Sequence, residues 1–289
     1  MLAQLGVSLP SHQGEIVQNG SDTNLFYEVH GHQGPYLLLV HGFLSSRRQW
    51  MLNLESLSRF CRPVVIELYA HGRSPSPSDG MLYRPENYAR EFERIRRELC
   101  IEQWFVCGQS LGAALTFRYV LDYPEVVLGH IFTNSMSALT EETFEEKAKL
   151  LVELLEAGGQ EAILELPVHP SKSSRLNPDV KKTLMDEAKL IDIKGLSLTG
   201  LNTLVRASVR SRLGINRTRT LLIAGRFDRA FTPYLEIAEE IIPYLAVEIL
   251  DGGHGINIDA PNEFNRLVER FLNPQMETGA DVSSQDNLE

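Results

Sequence analysis

The chain has 289 residues, enough for one large α/β domain or two small ones, and its 43% hydrophobic and 23% charged content is ordinary for a globular protein. A formal net charge of -10 argues against nucleic acid as a partner, since a phosphate backbone needs a basic face. No run approaches the ~18 apolar residues of a membrane span, and the first residues lack the basic start and continuous apolar core of a secretory signal.

Short β-rich runs alternate with amphipathic helical patterns along most of the chain. NLFYEVH (24–30) alternates like a strand with one exposed face, and YLLLVH (36–41) is a continuous apolar run, as in a strand covered on both sides. RRQWMLNLESLS (47–58) reads as helical, RPVVIEL (62–68) as a strand and ENYAREFERIRREL (86–99) as a helix. The Arg/Glu alternation in that last run marks a solvated helix face laced by near-neighbour ion pairs. QWFVCG (103–108), VVLGHIFTN (126–134), RTLLIAG (219–225) and LAVEIL (245–250) read as further strands. LGAALTFRYVLDY (111–123), PYLEIAEEIIP (233–243) and PNEFNRLVERFL (261–272) read as the helices between and after them. Such alternation implies an α/β fold, a doubly wound and mostly parallel sheet with helices on both faces.

Between about residues 135 and 217 the strand signal vanishes. Three helical stretches, 140–158, 177–192 and 197–213, are joined by the Pro- and Ser-rich loop PVHPSKSSRLNP (167–178). The organisation expected is a core of residues 1–134 and 218–273 and a helical cap over 135–217. The polar, acidic, aperiodic 274–289 is expected to form a disordered tail.

In doubly wound sheets, ligands bind beyond the carboxyl ends of the strands. Three polar residues stand directly after strand patterns. Ser110 lies in Gly108-Gln109-Ser110-Leu111-Gly112, where small flanking residues let a sharp strand-to-helix turn present the hydroxyl. The helix N-terminus beneath it favours a developing oxyanion, and the hydroxyl requires a base. His254 follows the last strand in Asp251-Gly252-Gly253-His254-Gly255, on a loop free to reach across the sheet edge. Asp228 in Arg226-Phe227-Asp228 stands one strand earlier, suited to accept the His254 ring N–H and fix its tautomer. Asp251 and Asp259 compete for that role but lie close to His254 in sequence, where a carboxylate more often caps a turn.

The order Ser110, Asp228, His254, each at a strand end, resembles the α/β-hydrolase superfamily over roughly residues 24–273, in its serine esterase- and lipase-like branch with a helical cap. LLLVHGF (37–43) resembles the family's His-Gly segment. That match implies that the backbone N–H groups of Phe43 and Leu111 form the oxyanion hole, with Phe43, Leu44 and Gln109 lining the substrate site. ELYAHGRS (67–74) resembles the family's D-x-x-G-H-G-x-S loop, with Glu67 for Asp and Ala70 for Gly. GRFDRAFTP (225–233) and GGHGINIDAP (252–261) resemble the acid and histidine loops. His41 and His71, in His-Gly pairs, are read as holding loops by hydrogen bonds.

The resemblance implies a hydrolase acting on small to medium carboxylic esters through an acyl-enzyme, with a small-molecule partner and no cofactor. Alternatives are a lactone- or carbon–carbon-cleaving hydrolase with the same triad, or a ligand-binding receptor on the same scaffold. Relatives with Asp at the elbow are disfavoured by Ser110. The menaquinone-synthesis lyases are disfavoured by Ala114, where they carry arginine. No metal is expected, since neither HExxH nor Cys/His ligand spacing occurs, and no dinucleotide, since no GxGxxG follows the first strand. Cys61, Cys100 and Cys107 cannot all pair and show no CxxC spacing, so reduced thiols in a cytoplasmic protein are expected. The sequence assigns no oligomeric state.

Overall fold

The computed structural model describes residues 15–17 and 23–273; the expectation for 274–289 lies outside them. Among the described residues there is one eight-stranded sheet. Its strands are β1 (Glu15–Val17), β2 (Tyr27–Val29), β3 (Tyr36–Val40), β4 (Arg62–Ile66), β5 (Trp104–Gln109), β6 (Val127–Thr133), β7 (Thr220–Gly225) and β8 (Leu245–Leu250). Their order is β1-β2-β4-β3-β5-β6-β7-β8. The β1–β2 and β2–β4 pairs are antiparallel and all the others parallel, so the sheet is mostly parallel, as the alternation of elements implies.

The continuous apolar runs are explained by burial on both faces. Leu38 and Val40 of β3 point into one apolar layer with Val64, Val106, Phe132 and Leu222. Leu37 and Leu39 point into the opposite layer with Val65, Cys107, Ile131 and Ile223. The helices Pro85–Glu98 and Leu111–Asp122 supply side chains to the first layer, and Pro261–Leu272 to the second. Each fully buried Leu or Val contributes roughly 1.5–3 kcal/mol, and Leu37, Leu38, Leu39 and Val40 of β3 are all fully buried. Cys107 is buried there, and burial raises its thiol pKa far above the ordinary range.

All the elements between β6 and β7 are helical or turn-like, although β6 and β7 are neighbours in the sheet. They include the helices Glu145–Gly158 and Pro178–Ala188, and they share a small apolar cluster containing Leu151, Leu155, Ile163 and Leu196.

Two expected helices are interrupted. The 47–58 helix is broken into a 3-10 turn, Arg47–Trp50, and a short helix, Leu54–Leu57. Ser46 caps the first by accepting from Arg48 N–H, and the Asn53 side chain between them is drawn into a buried amide network. The 197–213 helix is also interrupted, by a π turn at Thr199–Thr203 and a 3-10 turn at Leu204–Arg206. Thr199 bonds back to the Gly195 carbonyl, a hydroxyl contact that bends a helix, and Thr203 ties the π turn to Tyr83 O. The 167–178 loop contains a 3-10 turn, Pro170–Lys172, capped by the His169 ring.

Candidate active site

Ser110 occupies the corner between β5 and the helix Leu111–Asp122 with φ 54° and ψ -116°, a conformation that L residues rarely adopt. Such strain costs about 1–3 kcal/mol and persists only when the surroundings over-determine it. The flanking glycines make the close approach possible. A Cβ on Gly108 would lie 2.5 Å from Ala113 Cα, and one on Gly112 2.3 Å from Val40 O and 2.5 Å from His41 O. The Ser110 carbonyl accepts from Ala113 N–H at 3.0 Å and from the Ser135 hydroxyl at 2.6 Å. Leu111, at the first helical position, has an N–H with no intrahelical acceptor.

Asp228 follows β7 and His254 follows β8, and the structure brings them together. His254 Nδ1 lies 2.7 Å from Asp228 Oδ2. The bond assigns the proton to Nδ1 and leaves Nε2 as the basic nitrogen. The Asp228 side chain is 8% exposed against 46% for His254, so the carboxylate is sheltered while the imidazole stays accessible. Asp228 Oδ1 also accepts from Phe231 N–H. The competing carboxylates are engaged elsewhere: Asp251 pairs with Arg226 at the surface, and Asp259 accepts the Gly253 N–H at 2.6 Å.

The loop after β3 reaches the same place. A Cβ on Gly42 would lie 3.0 Å from Ser110 Cβ, so the Gly42–Phe43 peptide stands beside the serine. Phe43 is half-buried against both the sheet layer and the helical insertion, and its N–H has no acceptor among the described residues. His41 and His71 are fully buried and hold loops, as expected. His41 accepts from Leu68 N–H and contacts Gly42 O, and His71 Nδ1 contacts Tyr69 O. Burial lowers the pKa of His41 to about 3, helped by neighbouring His71, and that of His71 to about 4.

Two expected substrate-lining side chains, Gln109 and Leu44, are buried. Gln109 is buried; its Nε2 donates to His254 O at 3.4 Å and its Oε1 packs against Gly42. It ties the loop after β3 to the loop after β8. Leu44, at φ 58°, is 2% exposed and inserted into the apolar cluster of the insertion. It anchors that insertion to the β3 loop.

Glu67 and Ala70 depart from the family loop in sequence, and both are accommodated. Glu67 is fully buried, where burial raises its pKa against the opposing N–H groups of Arg73 and Arg47 and the Arg47 guanidinium. Ala70 sits at φ 66°, where glycine would avoid a cost of roughly 1–2 kcal/mol.

Sequence reasoning missed two supports of the site. Asn134 is fully buried; its Oδ1 accepts from Gly225 N–H, and its Nδ2 donates to Gly253 O at 3.0 Å. It thereby joins the ends of β6 and β7 to the histidine loop. Gln49, Asn53, Asn257 and Asn265 form a buried amide network that joins the segment after Phe43 to the segment after His254. Amides more than 200 positions apart carry no periodic signal, so only the fold reveals the pairing.

Residues 35–261 match the family of the alpha/beta hydrolase fold. The chain belongs to that family. Among relatives of the α/β-hydrolase chain is a Bacillus subtilis (strain 168) protein provisionally named 2-succinyl-6-hydroxy-2,4-cyclohexadiene-1-carboxylate synthase. It is 24% identical over 249 residues, covering 82% of this chain and 89% of its own. A Pseudomonas savastanoi pv. phaseolicola protein provisionally named carbamate hydrolase RutD is 28% identical over 268 residues, covering 87% and 100%. Among solved structures, an esterase from Exiguobacterium antarcticum superposes with a TM-score of 0.78 at 16% identity, covering 90% of this α/β-hydrolase and all of that chain.

Proposed function

We propose that this α/β-hydrolase is a serine hydrolase that cleaves small to medium carboxylic esters through an acyl-enzyme. Ser110 is the nucleophile, His254 the base and acid, and Asp228 the carboxylate that orients His254. One observation carries the reading: His254 and Asp228, from adjacent strand ends, share a 2.7 Å hydrogen bond at the end of the sheet where Ser110 is held in its strained turn. The family and the named relatives support a hydrolase as the coarser statement.

The steps follow from the roles. His254 Nε2 takes the Ser110 proton as Oγ bonds to the substrate carbonyl carbon, and the carbonyl π electrons move onto oxygen. The Phe43 and Leu111 N–H groups donate to that oxyanion, each worth roughly 3 kcal/mol in comparable sites. The intermediate collapses, the C–O bond to the alcohol breaks, and the leaving oxygen takes the proton from His254. A water then gives its proton to His254 and bonds to the acyl carbon. Ser110 leaves with that proton, and the products are a carboxylic acid and an alcohol. All these proton and electron movements use groups of the chain, substrate and water.

The insertion, read as a cap over 135–217, would wall the acyl pocket with apolar side chains, which suits an uncharged acyl group. The similarity to the provisionally named carbamate hydrolase favours carbamates as a second class served by the same acyl chemistry. Ala114, buried in the helix behind Ser110, stands where the menaquinone-synthesis lyases carry arginine, which weighs against their reaction. The test is hydrolysis of p-nitrophenyl esters from acetate to decanoate by wild-type protein and Ser110→Ala. Turnover lost in Ser110→Ala supports the reading, and the preferred chain length sizes the pocket. Well-folded wild-type protein without turnover would sink the esterase and move the weight to lactone, carbon–carbon or receptor roles.

A further inference from the structure

The His41 imidazole is fully buried between the ends of β3 and β4. Leu68 N–H donates to its Nε2 at 3.0 Å. A backbone amide can only donate, so Nε2 is bare and the ring proton resides on Nδ1. Nδ1 lies 2.8 Å from the Gly42 carbonyl oxygen and donates to it. Both ring nitrogens are thus committed, and burial keeps the ring neutral.

The consequence runs through the next peptide. In a trans peptide unit, C=O and N–H point in opposite directions, and no cis bond occurs among the described residues. The N–H opposite the Gly42 carbonyl is that of Phe43, the group left without an acceptor. The Gly42 peptide also needs holding. Its lack of a side chain is required by Gln109 Oε1 and Ser110 Cβ, which a Cβ would meet at 2.3 and 3.0 Å. The same lack makes its peptide free to rotate. Leu44 at φ 58° turns the chain away immediately afterwards, so no ladder of hydrogen bonds fixes the unit.

We infer that His41 is a positioning residue: its Nδ1–H grips the Gly42 carbonyl and so aims the Phe43 N–H at the oxyanion formed on attack by Ser110. The inference rests on the serine-hydrolase reading, which alone gives that N–H an oxyanion to meet.

The two nitrogens can be separated by substitution. Asn places its amide N–H near Nδ1 and can still grip Gly42, whereas Gln places its amide near Nε2 and can still accept from Leu68. Each variant loses one buried hydrogen bond, so the two should lose similar thermal stability. The readouts are the second-order rate of Ser110 labelling by a fluorophosphonate, and kcat and KM for p-nitrophenyl butyrate. His41→Asn should keep at least about a third of the wild-type rates. His41→Gln should lose about 30- to 100-fold in both, with KM within about twofold, as for a misdirected oxyanion donor. Equal losses that follow the fall in melting temperature, or undiminished rates in His41→Gln, would overturn the inference. Wild-type protein that resists labelling would overturn the serine-hydrolase reading and this inference with it; Ser110 labelled at the same rate in His41→Gln would overturn the inference alone. The wild-type protein gives an independent reading by NMR of ¹⁵N-labelled histidine. Phosphonylation should shift the His41 Nδ1–H downfield, because the Gly42–Phe43 unit becomes polarised through both ends. An unmoved resonance contradicts the proposal even if neither variant folds.

Discussion

Replacing Gly112 by alanine would put a methyl carbon 2.3 Å from the carbonyl oxygen of Val40 and 2.5 Å from that of His41. Both distances fall roughly 1 Å short of ordinary contact. Both oxygens belong to the backbone at the end of β3, in the middle of the sheet, and cannot swing aside as a side chain could. The helix Leu111–Asp122 must therefore shift. Overpacking of this kind costs about 1–3 kcal/mol, and a backbone clash falls at the upper end. At about 2 °C per kcal/mol for a chain of this size, the melting temperature should fall by about 5 °C. Ser110 and the Leu111 N–H move with the helix, and a displacement near 1 Å costs on the order of 10²-fold in rate. Differential scanning calorimetry and kcat on p-nitrophenyl butyrate measure the two effects. Gly214 supplies the control: open space surrounds it and its φ is -62°, so Gly214→Ala should stabilise by about 0.4–1 kcal/mol through the unfolded chain. If Gly112→Ala melts within 1 °C of wild type (about 0.5 kcal/mol) and keeps its kcat, the close-packed elbow is refuted.

Asp228→Asn preserves shape but offers His254 an amide, which favours the wrong tautomer; kcat should fall about 10⁴-fold with little change in melting temperature, and a loss below tenfold would contradict the orienting role. Asn257→Ala leaves amide groups of Gln49 and Asn53 unpaired in the interior, each costing about 1–3 kcal/mol, so urea unfolding should show a loss of roughly 3 kcal/mol or more. His41, His71 and His130 are buried neutral, with pKa values lowered by burial to about 3, 4 and 3. The unfolded chain protonates them near pH 6.5, so their contribution to stability is complete above that pH and is lost as pH falls toward 4. Three protons taken up on unfolding give a slope of roughly 4 kcal/mol per pH unit near pH 5. Equal urea midpoints at pH 7 and pH 5 would show that these rings are not held neutral.

The parallel sheet was legible because burial on both faces leaves continuous apolar runs such as YLLLV and TLLIAG, and period and length separate these from helices. The places of Ser110, Asp228 and His254 after β5, β7 and β8 were legible because strand ends, glycines and chain order are local features of sequence. Less was legible where long-range packing decides. Asn53 breaks a helical pattern because its amide is needed by Asn257 and Asn265, residues over 200 positions away. Gln109 looks like a lining residue from its place beside Ser110, yet its amide is claimed by the His254 carbonyl and by the space that Gly42 vacates. Leu44 adjoins the His41-Gly42-Phe43 segment in sequence, but its positive φ turns it into the insertion's apolar cluster. The direction of a side chain at a loop end depends on the other loops, and no pattern within the loop encodes it.

Acylation of Ser110 is tested most directly by mass spectrometry of protein mixed with p-nitrophenyl butyrate and quenched in acid during turnover. The expected product is a chain carrying one butyryl group, mapped to the peptide at Ser110 and absent from Ser110→Ala. Turnover without that adduct, or an adduct mapped to another residue, would contradict acylation of Ser110.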